Sequence, residues 1–336
     1  MKSTICTITG KEALQIEDVD RSRQLDNNEL RIRTLYSLVS PGTELAIFLG
    51  EHVGLNDPNN TFAKYPFLSG YAAVGEVVET GPGVEQFSVG QKVYFEGYHE
   101  SLAIVDAVRK NVRALPEGID IKLAPFARLA QISYTALLVA PDAGQRSTVA
   151  VIGLGLIGNL AAQLFQIRGD KVIAADTVLA RRNWAIEAGL HGVISTSGVD
   201  IAERVREAAA DAEIDICVEA TGNPAVVQVC LDNVRDRGRV ILLGSPRGKI
   251  MIDVYNNIHR SGVSLIGAHE RVLRAEAPGA PRMIQVVDEM LNNIAAGKLS
   301  VSPLVTQTAR PDQLADCYQH LHKDRDQTLG VLIDWT

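Results

Sequence analysis

The sequence predicts an α/β protein in which a six-stranded, doubly wound parallel sheet is inserted into a β-rich domain. Three observations point there. The first 120 residues break into short strand-like runs separated by Pro and Gly turns. From about residue 125 the rhythm changes to apolar β-branched runs alternating with helical patterns, as in successive βαβ units. The third is Val149-Ala-Val-Ile-Gly-Leu-Gly-Leu-Ile-Gly158, a strand that runs into Gly153-x-Gly155-x-x-Gly158 and then into an Ala- and Leu-rich helix.

In the N-terminal part the runs Glu29–Tyr36, Gly75–Thr80 and Gln91–Phe95 read as strands, punctuated by Pro41-Gly42, Asp57-Pro58 and Gly81-Pro-Gly83. That density of strands and turns predicts a compact, barrel-like β domain. Six further strands are expected at Ser147–Ile152, Lys171–Asp176, Gly192–Ser195, Asp215–Ala220, Arg239–Gly244 and Val263–Ala268. Helical patterns such as Ala180–Gly189 and Asp200–Ala210 separate them. Six parallel strands make two βαβαβ halves, with a ligand over their carboxyl ends. A connector rich in Ala, Gly and Pro (Ala275–Pro281) follows, then a helix over about Arg282–Ala296 and another from Pro311. Gly330–Trp335 alternates like an edge strand, and the tail is expected to return to the N-terminal domain.

The glycine turn carries chemistry. Its backbone N–H groups approach a pyrophosphate, and the helix N-terminus adds partial positive charge. Asp176 ends the next strand, about 20 residues on, where a carboxylate accepts from a ribose 2′-OH. Gly153, Gly155, Leu156, Ile157, Gly158 and Asp176 are therefore expected to bind NAD(H). Thr221, Gly244, Ser245 and His269 join them at the carboxyl ends of later strands. Arg181 and Arg182 fit either a 2′-phosphate or the exposed face of the next helix, but Asp176 repels a phosphate and favours NAD(H) over NADP(H).

Composition narrows the function. The chain has 336 residues, 46% hydrophobic and 22% charged, with a formal net charge of −7. That balance fits two globular domains and argues against nucleic acid or an anionic membrane as partner. No apolar run reaches the roughly 20 residues of a bilayer span, and the N-terminus lacks a signal-peptide core. A cytoplasmic location and a small-molecule substrate are expected. The four cysteines, Cys6, Cys217, Cys230 and Cys317, are not at zinc-site spacing, and Cys217 and Cys230 read as buried thiols.

With these motifs the chain resembles the medium-chain dehydrogenase/reductase (alcohol dehydrogenase-like) superfamily over nearly its whole length. Tyr65–Gly81 is similar to the family's Gly-His-Glu segment, and Phe87–Val93 to its FxxGDxV stretch. The resemblance implies a Rossmann NAD-binding domain over 125–269 inserted into a GroES-like β-barrel catalytic domain over 1–124 and 270–336. It also implies a homodimer, with the sixth strand as a plausible edge for pairing. Zinc-dependent members carry a Cys, a His and a third ligand at positions that here hold Pro41, Tyr71 and Arg128, with Ala72 in place of the Glu. The lobe that binds a structural zinc through four cysteines is missing as well. Pro, Tyr and Arg cannot make a tetrahedral zinc site, so a zinc-independent member with an SPGTE motif (Ser40–Glu44) is expected.

Without a metal, another group must hold the reacting oxygen and move a proton. At the positions the resemblance assigns, Tyr71 is expected as proton donor or acceptor, supported by Arg128, Thr43 and Glu44. The competing expectation is that Tyr71 only fills space while Glu44 and Arg128 form a buried ion pair. His52 reads as a loop residue, His99 as surface or supporting, and Tyr134 as packing. The expected reaction interconverts a secondary alcohol and a ketone on a sugar, cyclitol or natural-product intermediate. A quinone or enoyl reductase using NAD(P)H, and a nucleotide-binding protein without catalysis, are the alternatives.

Overall fold

The computed structural model describes residues 1–108, 111–140, 146–210, 212–272 and 283–336. The connector 275–281 lies outside them.

The chain opens with β1 (Lys2–Gly10), β2 (Ala13–Asp20) and β3 (Glu29–Leu38), then α1 (Thr43–Phe48). β4 (Phe67–Leu68), β5 (Ala73–Thr80), β6 (Lys92–Phe95), β7 (Leu102–Asp106) and β8 (Arg113–Ala114) follow, then α2 (Phe126–Val139). The alternating part runs β9 (Thr148–Ile152), α3 (Leu156–Arg168), β10 (Lys171–Asp176), α4 (Leu179–Glu187), β11 (Val193–Ser195) and α5 (Ile201–Ala209). It continues with β12 (Ile214–Glu219), α6 (Pro224–Asn233), β13 (Val234–Leu242), a π-helical stretch Val254–Arg260 and β14 (Ser264–Gly267). The tail holds α7 (Met283–Ala295), β15 (Val305–Ala309), α8 (Leu314–Lys323) and β16 (Gly330–Asp334). No helix among the described residues is long and apolar enough to cross a membrane.

Two compact units result. One comprises Met1–Arg128, Val287–Ala296 and Val305–Thr336, and the other Leu129–Val286 and Gly297–Leu304. The junctions expected after residues 124 and 269 compare with breaks after 128, 286, 296 and 304 in this division. Gly297–Leu304 groups with the second unit because the Gln163 amide on α3 closes a pair of hydrogen bonds with it. Gln163 Nε2 donates to the Ser300 carbonyl at 2.9 Å, and the Ser300 N–H donates to Gln163 Oε1 at 2.8 Å.

The second unit holds a six-stranded sheet in the order β11-β10-β9-β12-β13-β14, every pairing parallel. Its central strand β9 is buried at all five residues, as a parallel strand covered on both faces must be. Val149 and Val151 pack into one core with Ala161, Ala162 and Phe165 of α3. Ala150 and Ile152 enter another with Val205 of α5 and Val226, Val227 and Cys230 of α6. The period-two alternation of side chains therefore builds two helical layers, one on each face.

The first unit holds a sheet in the order β15-β16-β3-β5-β6-β8, with β7 also on β3, and a three-stranded sheet β2-β1-β4. β16 corrects the expectation of an edge strand, since it lies between β15 and β3 and its first four residues are buried. Its parallel partner β15 (VTQTA) is only five residues long and half polar, too weak a pattern to read beforehand.

Candidate functional site

In the second unit the glycine turn joins β9 to α3. Gly153 has φ +100°, a conformation that favours glycine, and a Cβ there would come within 2.8 Å of Thr221 Cγ2. At Gly158 a Cβ would come within 1.9 Å of the Gly153 carbonyl oxygen, because the first turn of α3 presses on the loop. Gly155, the N-cap of α3, has open space where its Cβ would stand. That is the opening a pyrophosphate needs to approach the loop N–H groups and the helix start. Leu156 begins α3 and is buried, and Ile157 is partly buried beside it.

Asp176 is buried and locks the turn to the end of β10. Its Oδ2 accepts from the Leu154 N–H at 2.7 Å and its Oδ1 from the Val178 N–H at 2.8 Å. The Arg181 guanidinium stands 3.7 Å from Oδ2, and Arg182 donates to the carbonyls of Asp176 and Thr177. The Thr221 hydroxyl is committed to its own turn, donating to Glu219 Oε1 at 2.6 Å and accepting from the Asn223 N–H at 3.0 Å. A Cβ at Gly244 would meet the Gly222 nitrogen at 2.5 Å, so these two turns close tightly, and Ser245 adopts φ +55°. His269 is exposed at the end of β14, where its Nδ1 accepts from the Arg271 N–H at 3.3 Å. Gly153, Gly155, Gly158 and Asp176 thus form one continuous cradle that fits a dinucleotide, with the turns of Thr221 and Gly244 closing against each other.

In the first unit Tyr71 lies just before β5, half-buried. Its hydroxyl donates to Ser40 Oγ, and the Arg128 guanidinium lies over its ring, 5.4 Å from the centroid. Burial raises the Tyr71 phenol above its ordinary range. The hydrogen bonds with Ser40 and Thr43 and the Arg128 charge pull the other way without overcoming it, while the Glu44 charge adds to the rise. The β5–β6 register, Ala73 opposite Phe95, carries Glu96 toward the same place. Glu96 lies 3.7 Å from Arg128 Nε and accepts from Asn111 Nδ2 at 2.6 Å.

Glu44 does not pair with Arg128. It is fully buried on α1 and accepts three hydrogen bonds: the Ser40 N–H on Oε1 at 2.9 Å, and His99 Nε2 at 2.9 Å and the Tyr318 hydroxyl at 2.7 Å on Oε2. His99 is likewise fully buried, so of its two readings, surface or supporting, the surface one is corrected and its hydrogen bond to Glu44 fits the other. The Trp335 indole, a donor only, donates to Ser37 Oγ at 2.9 Å, so the Ser37 hydroxyl hydrogen is left for His99 Nδ1 at 2.7 Å. That order puts the imidazole hydrogen on Nε2, facing the carboxylate. The expected buried ion pair is thus replaced by a chain from Trp335 through Ser37 and His99 to Glu44.

A tetrahedral zinc does not fit here. Positions 41, 71 and 128 offer a proline ring, a phenol and a guanidinium, and no three His, Cys, Asp or Glu among the described residues converge to hold a metal. The four cysteines are buried free thiols, and burial pushes Cys6 up to about 12 and Cys317 up to about 11. Ser37, Tyr318 and Trp335 escaped the sequence reading as partners of this site because they come from distant segments, His99 was read only as surface or supporting, and Ser40 only as the start of the SPGTE motif. Only Ser40, adjoining the Pro41-Gly-Thr-Glu motif, had a local signal.

Two family models match the chain: the alcohol dehydrogenase GroES-like domain at residues 26–100 and the zinc-binding dehydrogenase at residues 156–286. The second match includes none of positions 41, 71 and 128. L-threonine 3-dehydrogenase of Pyrococcus furiosus is 27% identical, covering 79% of this chain and 80% of that protein. D-guloside 3-dehydrogenase of Escherichia coli K12 is 26% identical, covering 71% and 72%. Among solved structures, an alcohol dehydrogenase of E. coli CFT073 in complex with cofactor NADH superposes with a TM-score of 0.82 at 17% identity, covering 99% of each chain.

Proposed function

This chain belongs to the alcohol dehydrogenase-like superfamily of medium-chain dehydrogenases and reductases, and we propose that it interconverts a secondary alcohol and a ketone with NAD(H) and without zinc. The observation that carries this reading is Tyr71, a phenol with its hydroxyl on Ser40 and a cation over its ring, at the position the resemblance assigns to the zinc-binding histidine. When bound, the nicotinamide supplies the hydride for reduction of the carbonyl carbon or takes it up in the reverse direction.

The residues of the chain account for the rest. Asp176 accepts from the adenosine ribose and, as an anion, disfavours a 2′-phosphate, while the Gly153–Gly158 turn receives the pyrophosphate. Tyr71 is protonated at neutral pH, as any phenol is, and burial raises it further; it gives a hydrogen bond and then its proton to the carbonyl oxygen. Solvent returns that proton. Raising the pH through the phenol's ionisation removes the donor and slows reduction. Arg128 lowers the energy of the phenolate left behind, and Thr43 adds a hydrogen bond to it. The substrate proposed is a sugar, cyclitol or natural-product intermediate, and the name of the guloside relative supports the sugar.

We extend the proposal to a cytoplasmic homodimer. The free thiols fit a reducing compartment. β14 ends the parallel sheet with most of its residues exposed, an edge suited to pairing with a second copy.

The test is turnover of a panel of secondary alcohols, including sorbitol and L-threonine, by wild-type enzyme and by Tyr71→Phe, with metal analysis on the same samples. Tyr71→Phe should lower kcat by about 10²- to 10⁴-fold while leaving NADH affinity unchanged. Near-normal turnover, or one zinc per chain whose removal abolishes activity, would overturn the mechanism.

A further inference from the structure

We propose that Ser40 is the positioning residue of Tyr71: its hydroxyl accepts from the phenol and turns to donate to the phenolate, so the oxygen keeps a hydrogen bond through both protonation states. The inference rests on the reading of Tyr71 as the acid and adds the device that supports its ionisation.

A serine hydroxyl both donates and accepts, and its hydrogen rotates freely about the C–O bond. Ser40 accepts from Tyr71 and is 5% exposed, so water has little access to that bond. Its backbone is held from both sides. The Ser40 N–H donates to Glu44 Oε1 at 2.9 Å, and the Glu44 N–H donates back to the Ser40 carbonyl at 3.1 Å. Glu44 in turn is fixed by His99 and Tyr318 on its other oxygen. With Ser40 anchored, loss of the Tyr71 proton need not move a heavy atom. The hydroxyl hydrogen alone reverses.

The charged and titratable groups around Tyr71 sit on other elements. They are Arg128 on α2 over the ring, Glu44 on α1, Tyr94 on β6 and Glu96 just after it. None of them accepts from the phenol as Ser40 does; the Thr43 hydroxyl also hydrogen-bonds this oxygen and stays in place in Ser40→Ala.

The experiment places 3,5-difluorotyrosine at position 71 of the full chain, which brings the phenol's ionisation toward neutral pH, and follows it by fluorine NMR. Ser40→Ala should raise the ionisation midpoint by roughly one pH unit, the loss of one hydrogen bond to a charged oxygen. Ser40→Thr, which retains the hydroxyl, should return it close to the wild-type value. NADH affinity and thermal midpoint serve as controls for the fold. If Ser40→Ala fails to fold, Ser40→Cys, a weaker donor, should raise the midpoint relative to Ser40→Thr. An unchanged midpoint in Ser40→Ala, or in Ser40→Cys where that variant stands in for it, or an equal rise in Ser40→Thr, overturns the proposal. The titration needs no substrate, so a failure here is distinct from normal turnover by Tyr71→Phe, which would remove the acid role itself.

Discussion

At Asp176 one side chain serves two purposes. Its oxygens accept the N–H groups of Leu154 and Val178, tying the glycine turn to the end of β10, and in the proposed function the same carboxylate accepts from the ribose. Removing it takes away both hydrogen bonds to the loop and, on the proposed reading, the charge that disfavours a 2′-phosphate, with Arg181 left 3.7 Å from where that charge stood. We expect Asp176→Ser to weaken NADH binding about tenfold and to narrow the preference over NADPH, as measured by fluorescence titration of both nucleotides. Unchanged affinity for both would show that the carboxylate is structural only. Glu44 makes the complementary point. Its three donors, Ser40, His99 and Tyr318, satisfy a fully buried carboxylate, which would otherwise be costly in so apolar a place.

At the level of elements, the β9–turn–α3 unit tolerates no added atoms at two of its three glycines. The first turn of α3 sits so close to the loop that a methyl group at position 158 would overlap the Gly153 carbonyl oxygen, which is backbone and cannot swing aside. Gly158→Ala must therefore push the helix off the turn, at a cost of about 1–3 kcal/mol from overpacking. We expect the thermal midpoint to fall by several degrees and NADH affinity by at least about tenfold, read by differential scanning fluorimetry with and without nucleotide. Full nucleotide-induced stabilisation in that variant would mean that α3 need not lie where it does for binding. Gly155 differs, since its Cβ position is open, and there glycine keeps space for the ligand rather than for the fold.

At the scale of the whole molecule, the exposed edge at β14 is where assembly is expected. Leu265 is 37% exposed there, and Met251, Val254 and Tyr255 leave further apolar surface on the segment before it. Two copies paired about a twofold axis would bring like residues together, so a charge introduced at this edge meets its own image. Leu265→Asp should turn a dimer into a monomer by light scattering, with the circular dichroism spectrum retained. A wild-type monomer at micromolar concentration, or a variant that remains dimeric, rules out this edge as the interface.

Legibility in the sequence follows the range of the interactions. Strands β9, β10 and β12 were readable because burial on both faces demands apolar runs, and Lys171–Asp176 coincides with β10 residue for residue. β16 was readable as a strand but not as an interior one, because that depends on β15 pairing beside it from elsewhere in the chain. The glycine turn and the acid that locks it were legible because they lie within one βαβ unit. The surroundings of Tyr71 were not, because His99 and Tyr318 reach Glu44 from segments 55 and 274 residues away.

By itself, then, the sequence determined the local geometry: which backbone turns need glycine, which strands need two apolar faces, and which positions lack a metal-binding group. Only the tertiary structure decided the partners of the buried charges. It gave Glu44 to His99 and Tyr318, and Arg128 to Tyr71 and Glu96. The physical reason is that a buried carboxylate must be satisfied by whichever donors the folded chain delivers to it, and no local pattern records which those are.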